Sequence, residues 1–153
     1  MINKINVDET HQLAITNFKT GKREEAERLF REVLKTNPSH FDANHYLAIS
    51  LLTQSRLDEA EISFKKALEL KPDPNVYQNL ANTQIQLKKF EEAEINYKKV
   101  LEFNPDNLDI QYNLGNTLRE LNRLDEAEVV YKKIIRKLTI KFIRKDSGIK
   151  NTL

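Results

Sequence analysis

The segment LDEAEISFKKALELKP, which begins at Leu57, recurs in altered form three more times in this chain of 153 residues. The other copies begin at Arg23, Phe90 and Leu124. Each copy contains an alanine followed four residues later by an aromatic residue, and the alanines are 34, 33 and 34 residues apart. The pairs are Ala26 and Phe30, Ala60 and Phe64, Ala93 and Tyr97, and Ala127 and Tyr131. One unit of this length cannot bury its own apolar surface, so the pattern predicts an array in which each unit packs against its neighbours.

The apolar spacing inside each unit predicts two helices. In the second unit, apolar residues recur every three or four positions over Phe41–Gln54 and again over Leu57–Leu70, with turn-forming residues between the two windows. The small Ala48 and Ala60 suit a close approach of two helices, and the ring of Phe64 can fill the space between neighbouring helices. The sequence therefore predicts an all-α fold built from helix pairs.

Two further elements recur in register with the alanines. A leucine and a small residue stand upstream in each unit, and a proline closes the first three units. These elements are Leu13-Ala14, Leu47-Ala48, Leu80-Ala81 and Leu114-Gly115, with Pro38, Pro72 and Pro105. The whole pattern, over about residues 7–139, resembles the tetratricopeptide repeat. This resemblance implies a right-handed superhelical solenoid of antiparallel helix pairs with a concave groove.

The repeat pattern divides the chain into six segments. An N-terminal lead comes first, four repeats follow, and a basic C-terminal tail or partial capping helix ends the chain. The boundaries are 1–6 for the lead, 7–40, 41–73, 74–107 and 108–137 for the repeats, and 138–153 for the last segment.

Most charged residues of the repeated segment can be interpreted as helix-stabilising. Gly21, Ser55 and Asn122 stand where an N-cap of each second helix is expected, and Ser55 with Asp58 approximates a capping box. A glutamate precedes a basic residue by four positions in every unit, which favours ion pairs within a helix. The pairs are Glu27/Arg31, Glu61/Lys65, Glu94/Lys98 and Glu128/Lys132. A solvated helix face is therefore favoured over a phosphate-binding stripe of lysines.

No motif of the sequence indicates catalysis. The chain has no cysteine and three glycines, and it contains neither a phosphate-binding loop nor a metalloprotease motif. His11 and His45 are one period apart and would point from first helices into the same groove, but no third ligand recurs beside them. We therefore predict a non-catalytic protein without cofactor or metal. The lack of cysteine and of a long apolar run favours a cytoplasmic location.

The resemblance also implies which residues face a partner, because the first helix of each tetratricopeptide repeat lines the concave face. The expected partner is a protein or peptide segment. Carried over to this chain, the groove residues are Asp8, His11, Gln12, Ile15, Asp42, His45, Tyr46, Ile49, Asn75, Gln78, Asn79, Asn82, Asp109, Tyr112, Asn113 and Asn116. Their asparagine and glutamine side chains can both donate to and accept from a peptide backbone.

The later units resemble one branch of the family more closely. Asn79 and Asn113 match the asparagine ladder in the repeat arm of O-linked N-acetylglucosamine transferases, whereas Gln12 and Tyr46 replace it in the earlier units. A substrate-recruiting arm of a glycosyltransferase-like or other enzyme is therefore an alternative function. A clamp for a terminal carboxylate is disfavoured, because the groove positions carry Asp8, Asp42 and Asp109 instead of a basic set.

The end of the chain departs from the repeat. Residues 132–153 hold eight of the 25 Lys and Arg but one acid, Asp146. Leu138, Ile140 and Phe142 alternate with polar residues, which is the spacing of a strand. The segment could instead extend the last helix and lay Leu138 and Phe142 over the open end, be the remnant of a longer array, or bind nucleic acid or an anionic membrane by charge. A weak homodimer through the last helix pair is a further possibility.

Overall fold

The computed structural model describes residues 6–146, with side chains described through Ile143. Over this range the chain forms eight α-helices and no strand, which confirms the all-α prediction. The helices are α1 Val7–Lys19, α2 Arg23–Thr36, α3 Phe41–Thr53, α4 Leu57–Leu70, α5 Pro74–Gln86, α6 Phe90–Phe103, α7 Leu108–Glu120 and α8 Leu124–Asp146. One compact unit contains α1–α5 and ends at Lys89, and a second begins at Phe90 and contains α6–α8.

Helical hairpins form the two units. In the first unit α1 packs on α2, and α3 packs on α4; in the second unit α7 packs on α8. The hairpins also pack on the helices next to them, with α2 on α3 and α4 on α5 in the first unit and α6 on α7 in the second. The two helices predicted for the second repeat are confirmed, since they correspond to α3 and α4 with a difference of one residue at the end of α3.

Small residues and aromatic rings fill the spaces between helices as the sequence predicts. Ala48 and Ala60 are fully buried where α3 meets α4, and the ring of Phe64 beside them is fully buried as well. In the second unit, Tyr97 occupies the aromatic position of α6, and burial raises the pKa of its hydroxyl to about 12. The repeated alanine and aromatic residue are therefore buried in the first three copies, whereas in the fourth copy Ala127 is buried and Tyr131 is half-buried.

The turns between the helices of each pair correct one prediction. Gly21, Ser55, Lys88 and Asn122 have left-handed backbones, with φ of 79°, 60°, 58° and 58°. After Gly21, the Lys22 amide donates to the carbonyl of Asn17 across 2.9 Å, and each of the other turns makes the same bond. This is the Schellman arrangement, which ends a helix at a left-handed residue. The prediction that Gly21, Ser55 and Asn122 cap the second helices is thus wrong, because these residues terminate the first.

The side-chain caps lie instead at the starts of the first helices. Asn6, His40, Asp73 and Asn107 each accept a hydrogen bond from a backbone amide in the first turn of α1, α3, α5 and α7. By contrast, α2 and α4 begin after Lys22 and Arg56 with no side-chain cap, so the proposed Ser55–Asp58 capping box does not form.

The left-handed turns give a stability prediction. We expect Lys88→Gly to stabilise the protein by about 0.5–1 kcal/mol, because a lysine at positive φ is strained whereas glycine is not. We expect Gly21→Ala, at the same position of the first repeat, to destabilise it by about 1 kcal/mol. Urea unfolding followed by circular dichroism measures both changes, and a destabilising Lys88→Gly would contradict the role given to the turn.

The four predicted ion pairs within second helices are confirmed. Their shortest N–O distances are 2.9 Å in α2, 2.8 Å in α4, 2.6 Å in α6 and 2.6 Å in α8. The sequence did not reveal that three of these glutamates also bind a cation of the following repeat. These pairs are Glu27 with Arg56 at 2.8 Å, Glu61 with Lys89 at 2.6 Å and Glu94 with Arg123 at 2.5 Å. We call each a junction ion pair, because it joins one repeat to the next inside a unit.

The basic end of the chain is helical in its described part. The strand-like interpretation of Leu138, Ile140 and Phe142 is wrong, because α8 continues without interruption to Asp146. Lys137 binds Asp106 at 2.5 Å, which fastens the helix to the turn before α7. Phe142 is 70% exposed and therefore does not form a dry cover over the end of the unit. The remaining positions of the predicted tail, 147–153, lie outside the described residues.

Candidate functional site

The residues expected to face a partner lie on α1, α3 and α5 in the first unit and on α7 in the second. In the first unit α3 contacts both α1 and α5, so the three first helices are neighbours. We refer to the exposed and half-buried candidate residues of these three helices together as the first-helix surface. It comprises Asp8, Gln12, Ile15, Asp42, His45, Tyr46, Ile49, Asn75, Gln78, Asn79 and Asn82.

Aromatic side chains support the middle of this surface. The half-buried ring of Tyr46 is stacked on Phe30 at 6.0 Å between centroids and meets the edge of Phe18 at 5.6 Å. His45, also half-buried, lies 6.1 Å from the ring of Phe64. Because Phe30 and Phe64 are the buried aromatic residues of the repeat, the positions of Tyr46 and His45 are set directly by the core.

An amide connects two of the first helices. The Nδ2 atom of Asn79 on α5 lies 3.4 Å from Nε2 of His45 on α3. Burial lowers the pKa of the His45 imidazole, only partly offset by Asp73 and Asp42, so the ring is neutral near pH 7 and its Nε2 can accept this hydrogen. Asn75 is exposed and Gln78 is half-buried, so amide groups remain at the surface on both sides of this contact.

The structure places His11 differently from the other candidates. Its side chain is 9% exposed and packs against His40, with ring centroids 4.5 Å apart, and against Phe30. His11 therefore fills space inside the first unit and offers little surface to a partner. His40, which was not among the residues predicted from the sequence, caps α3 by accepting from the Ala43 amide through Nδ1. Its position immediately before an apolar periodic window is the signal that would have revealed it.

The imidazoles of His11 and His45 give a pH prediction. Burial lowers the pKa of His11, with a further contribution from His40, and burial also lowers that of His45. The unfolded chain therefore binds protons that the folded chain does not, so stability decreases as pH falls below 6.5. We expect the unfolding free energy to decrease as pH falls from about 7 to about 5, and we expect this decrease to be smaller in His11→Gln. Urea unfolding at several pH values measures this, and equal slopes in both proteins would contradict it.

In the second unit the candidate residues surround one tyrosine. The hydroxyl of Tyr131 on α8 donates to Oδ1 of Asn116 across 2.8 Å, and the ring of Tyr112 lies 6.0 Å from that of Tyr131. Asn116 therefore positions Tyr131. Asp109 and Tyr112 are exposed and Asn113 is half-buried, so these three can contact a ligand.

The described residues show no arrangement typical of a metal site. Among them, no three His, Asp or Glu side chains come together where an ion could be held. In the same part of the chain, no helix combines the length and apolar character needed to cross a membrane. The candidate residues therefore offer amide groups, aromatic rings and carboxylates to a partner.

Comparison with known proteins identifies the repeats. Three family models described as tetratricopeptide repeat match residues 11–74, 74–107 and 96–129. No curated protein sequence matches the chain.

Several solved structures share the fold. A structure named MamA AMB-1 has a TM-score of 0.83 and 23% identity, covering 89% of this chain and 75% of its own. A MamA protein crystal structure gives 0.82 and 16%, covering 97% and 80%. MamA from Desulfovibrio magneticus RS-1 gives 0.77 and 20%, covering 86% and 75%. Together with the helix pairs and the matched repeats, these findings show that the chain belongs to the tetratricopeptide-repeat family, whose repeats are scaffolds for protein–protein interaction.

Proposed function

We propose that this chain is a non-catalytic module that binds an extended segment of a partner protein across the first-helix surface. The observation that carries the proposal is that the first and second helices of the repeats expose different side chains. On the second helices α2 and α4, Glu27 and Glu61 each bind two cations, one in the same helix and one in the following repeat. The first helices instead present half-exposed amides and aromatic rings, which suit contact with a peptide.

The chemistry of the surface indicates what kind of segment fits. Amide side chains can bond to any peptide backbone, whereas Tyr46 and His45 offer a flat, partly apolar contact. The exposed Asp8 and Asp42 favour a neutral or basic segment over an acidic one. Such a short surface supports modest affinity unless the partner presents several copies of the segment.

The experiment is a selection from a library of random linear peptides, followed by fluorescence anisotropy with a selected peptide. The test variant replaces Asp8, Gln12, Asn75 and Gln78 together with alanine, because the described hydrogen bonds of these four residues run through their backbones. We expect at least about a tenfold weaker affinity, equivalent to about 1.4 kcal/mol, with unchanged helix content.

The matched control is a fourfold alanine variant of exposed residues on second helices, at Glu24, Glu69, Glu91 and Glu102. We expect this control to bind the peptide as the original chain does. If both variants bind normally, or if the control loses as much affinity as the test variant, the first-helix surface is not the binding site.

The other functions indicated by the sequence stay predictions. These are a recruiting arm of a glycosyltransferase-like enzyme, with its partial asparagine ladder, and an anionic partner of the basic segment. For the second of these, Lys132 and Lys137 are already paired with Glu128 and Asp106, which reduces the positive charge available. A cytoplasmic location likewise stays a prediction.

A further inference from the structure

The last repeat exposes residues that the earlier repeats cover. The side chain of Glu128 is 62% exposed, whereas Glu27, Glu61 and Glu94 at the same repeat position are 12%, 5% and 9% exposed. Ile135 is exposed in α8, whereas its equivalents Leu34, Leu68 and Leu101 are half-buried. Each earlier glutamate is covered by the repeat that follows it, and α8 has no following repeat within the described chain.

The first repeat exposes the opposite half of the same kind of contact. Leu13 is 52% exposed, whereas its equivalents Leu47, Leu80 and Leu114 are 4%, 2% and 7% exposed. Thr16 is also exposed, and its equivalents Ser50, Thr83 and Thr117 are fully buried. In the later repeats these side chains are therefore buried against neighbouring helices, whereas on α1 they are exposed.

The charges at these two open faces are complementary. Lys22 occupies the repeat position of Arg56, Lys89 and Arg123, the cations that bind the buried glutamate of the preceding repeat. Glu25 likewise occupies the position of Glu59, which binds Arg31 of the preceding repeat at 3.0 Å. At the other end, Glu128 and Lys132 occupy the positions of Glu27 and Arg31.

We propose that copies of this chain associate head to tail. The tail face, formed by Glu128, Lys132 and Ile135, would dock on the head face of another copy, formed by Leu13, Thr16, Lys22 and Glu25. Glu128 binds Lys22 of the next copy and Lys132 binds Glu25, which repeats the charge pairing seen between the first and second repeats. Ile135 and Leu13 supply apolar contact at the same junction. This proposal does not depend on peptide binding.

The geometry of this contact determines the kind of assembly. The head and tail faces differ, so a docked pair leaves one head and one tail free, and further copies add until the assembly closes into a ring or grows as an open filament. A two-fold dimer that pairs α8 with α8 of another copy would also cover Ile135, but it would stop at two chains and would not involve Leu13 or Lys22. The two modes are therefore distinguishable.

The test uses two blocked variants of the full chain in sedimentation velocity. The head-blocked variant carries Leu13→Glu and Lys22→Glu, and the tail-blocked variant carries Glu128→Lys and Ile135→Lys. We expect the average mass of the original chain to rise with concentration, and each blocked variant to stay monomeric with at least about a tenfold weaker self-affinity. An equal mixture of the two should form a complex of two chains and nothing larger, because one free tail meets one free head.

The control variant Ile95→Glu alters an exposed isoleucine that belongs to neither face, and we expect it to associate like the original chain. Circular dichroism establishes that every variant keeps its helices, and a variant that unfolds is replaced by its single charge change, Lys22→Glu or Glu128→Lys. A head-blocked variant that still dimerises, or a mixture that forms no two-chain complex, overturns the proposal. So does an original chain that stays monomeric at every concentration.

Discussion

Replacing Phe64 with alanine is expected to destabilise the first unit by about 3–5 kcal/mol, which is the usual effect of removing a fully buried aromatic ring. Phe64 has no exposed surface and lies beside Ala60 and Ala67, which are equally buried. Its neighbours belong to packed helices that cannot move inward to fill the resulting cavity without losing other contacts. Because small domains have a total stability of about 5–15 kcal/mol, this loss removes much of the margin.

The same substitution at an exposed ring is the matched control. Phe142 is 70% exposed near the end of α8, so Phe142→Ala should change the unfolding free energy by less than about 0.5 kcal/mol. Urea unfolding of both variants, followed by circular dichroism, measures the difference. If Phe64→Ala and Phe142→Ala are equally stable, the repeated aromatic residue does not hold the hairpin as described.

The helix pairs were predictable because the repeat occurs four times. A single window such as Leu57–Leu70 could be any amphipathic helix, but four registered copies separate what every unit needs from what varies. The buried alanines and aromatic rings are of the first kind, and they occupy the positions that the sequence predicts. This prediction succeeded because the same positions are buried in successive repeats, so the periodicity of the buried residues is visible in the sequence.

The turns were misjudged because one residue type serves two purposes. Ser and Asn are both favoured as N-caps, and Asn is also favoured in left-handed turns. The identity of the residue alone does not show which of these roles it has. The deciding observation is Lys88, which is a poor cap but takes the same left-handed φ as Ser55 and Asn122. A position where Gly, Ser, Lys and Asn alternate reflects a backbone requirement and not a side-chain hydrogen bond.

The candidate site was harder to predict from the sequence than the fold was. Helical spacing places His11 on the same side as His45, but only the packing of His40 and Phe30 around it shows that it is buried. The junction ion pairs were also missed. Their partners are 28 or 29 residues apart, and the pairing within one helix already accounted for the glutamates.

Replacing Glu61 with glutamine is expected to cost about 2–3 kcal/mol at neutral pH. Burial would by itself raise the pKa of the Glu61 carboxyl, but hydrogen bonds from Lys65, Lys89 and Gln84 outweigh it and lower the pKa from 4.5 to about 2. The unfolded chain therefore takes up a proton near pH 4.5, whereas the folded chain resists protonation until about pH 2. The stabilisation by the Glu61 carboxylate is therefore complete above the pKa of the unfolded chain, and it is lost as pH falls through the pKa of the folded chain.

Glu128→Gln makes the same chemical change at the same repeat position, where the carboxylate is 62% exposed and binds Lys132 alone among the described cations. Measured at low concentration, this variant should lose at most about 0.5 kcal/mol, the size of an exposed pair within a helix. The unfolding free energies of the original chain and of Glu61→Gln should converge as pH falls below the folded pKa of about 2, because both side chains are then neutral. If Glu61→Gln costs no more than Glu128→Gln at neutral pH, or if its deficit persists unchanged in acid, then the carboxylate charge is not what joins the second repeat to the third.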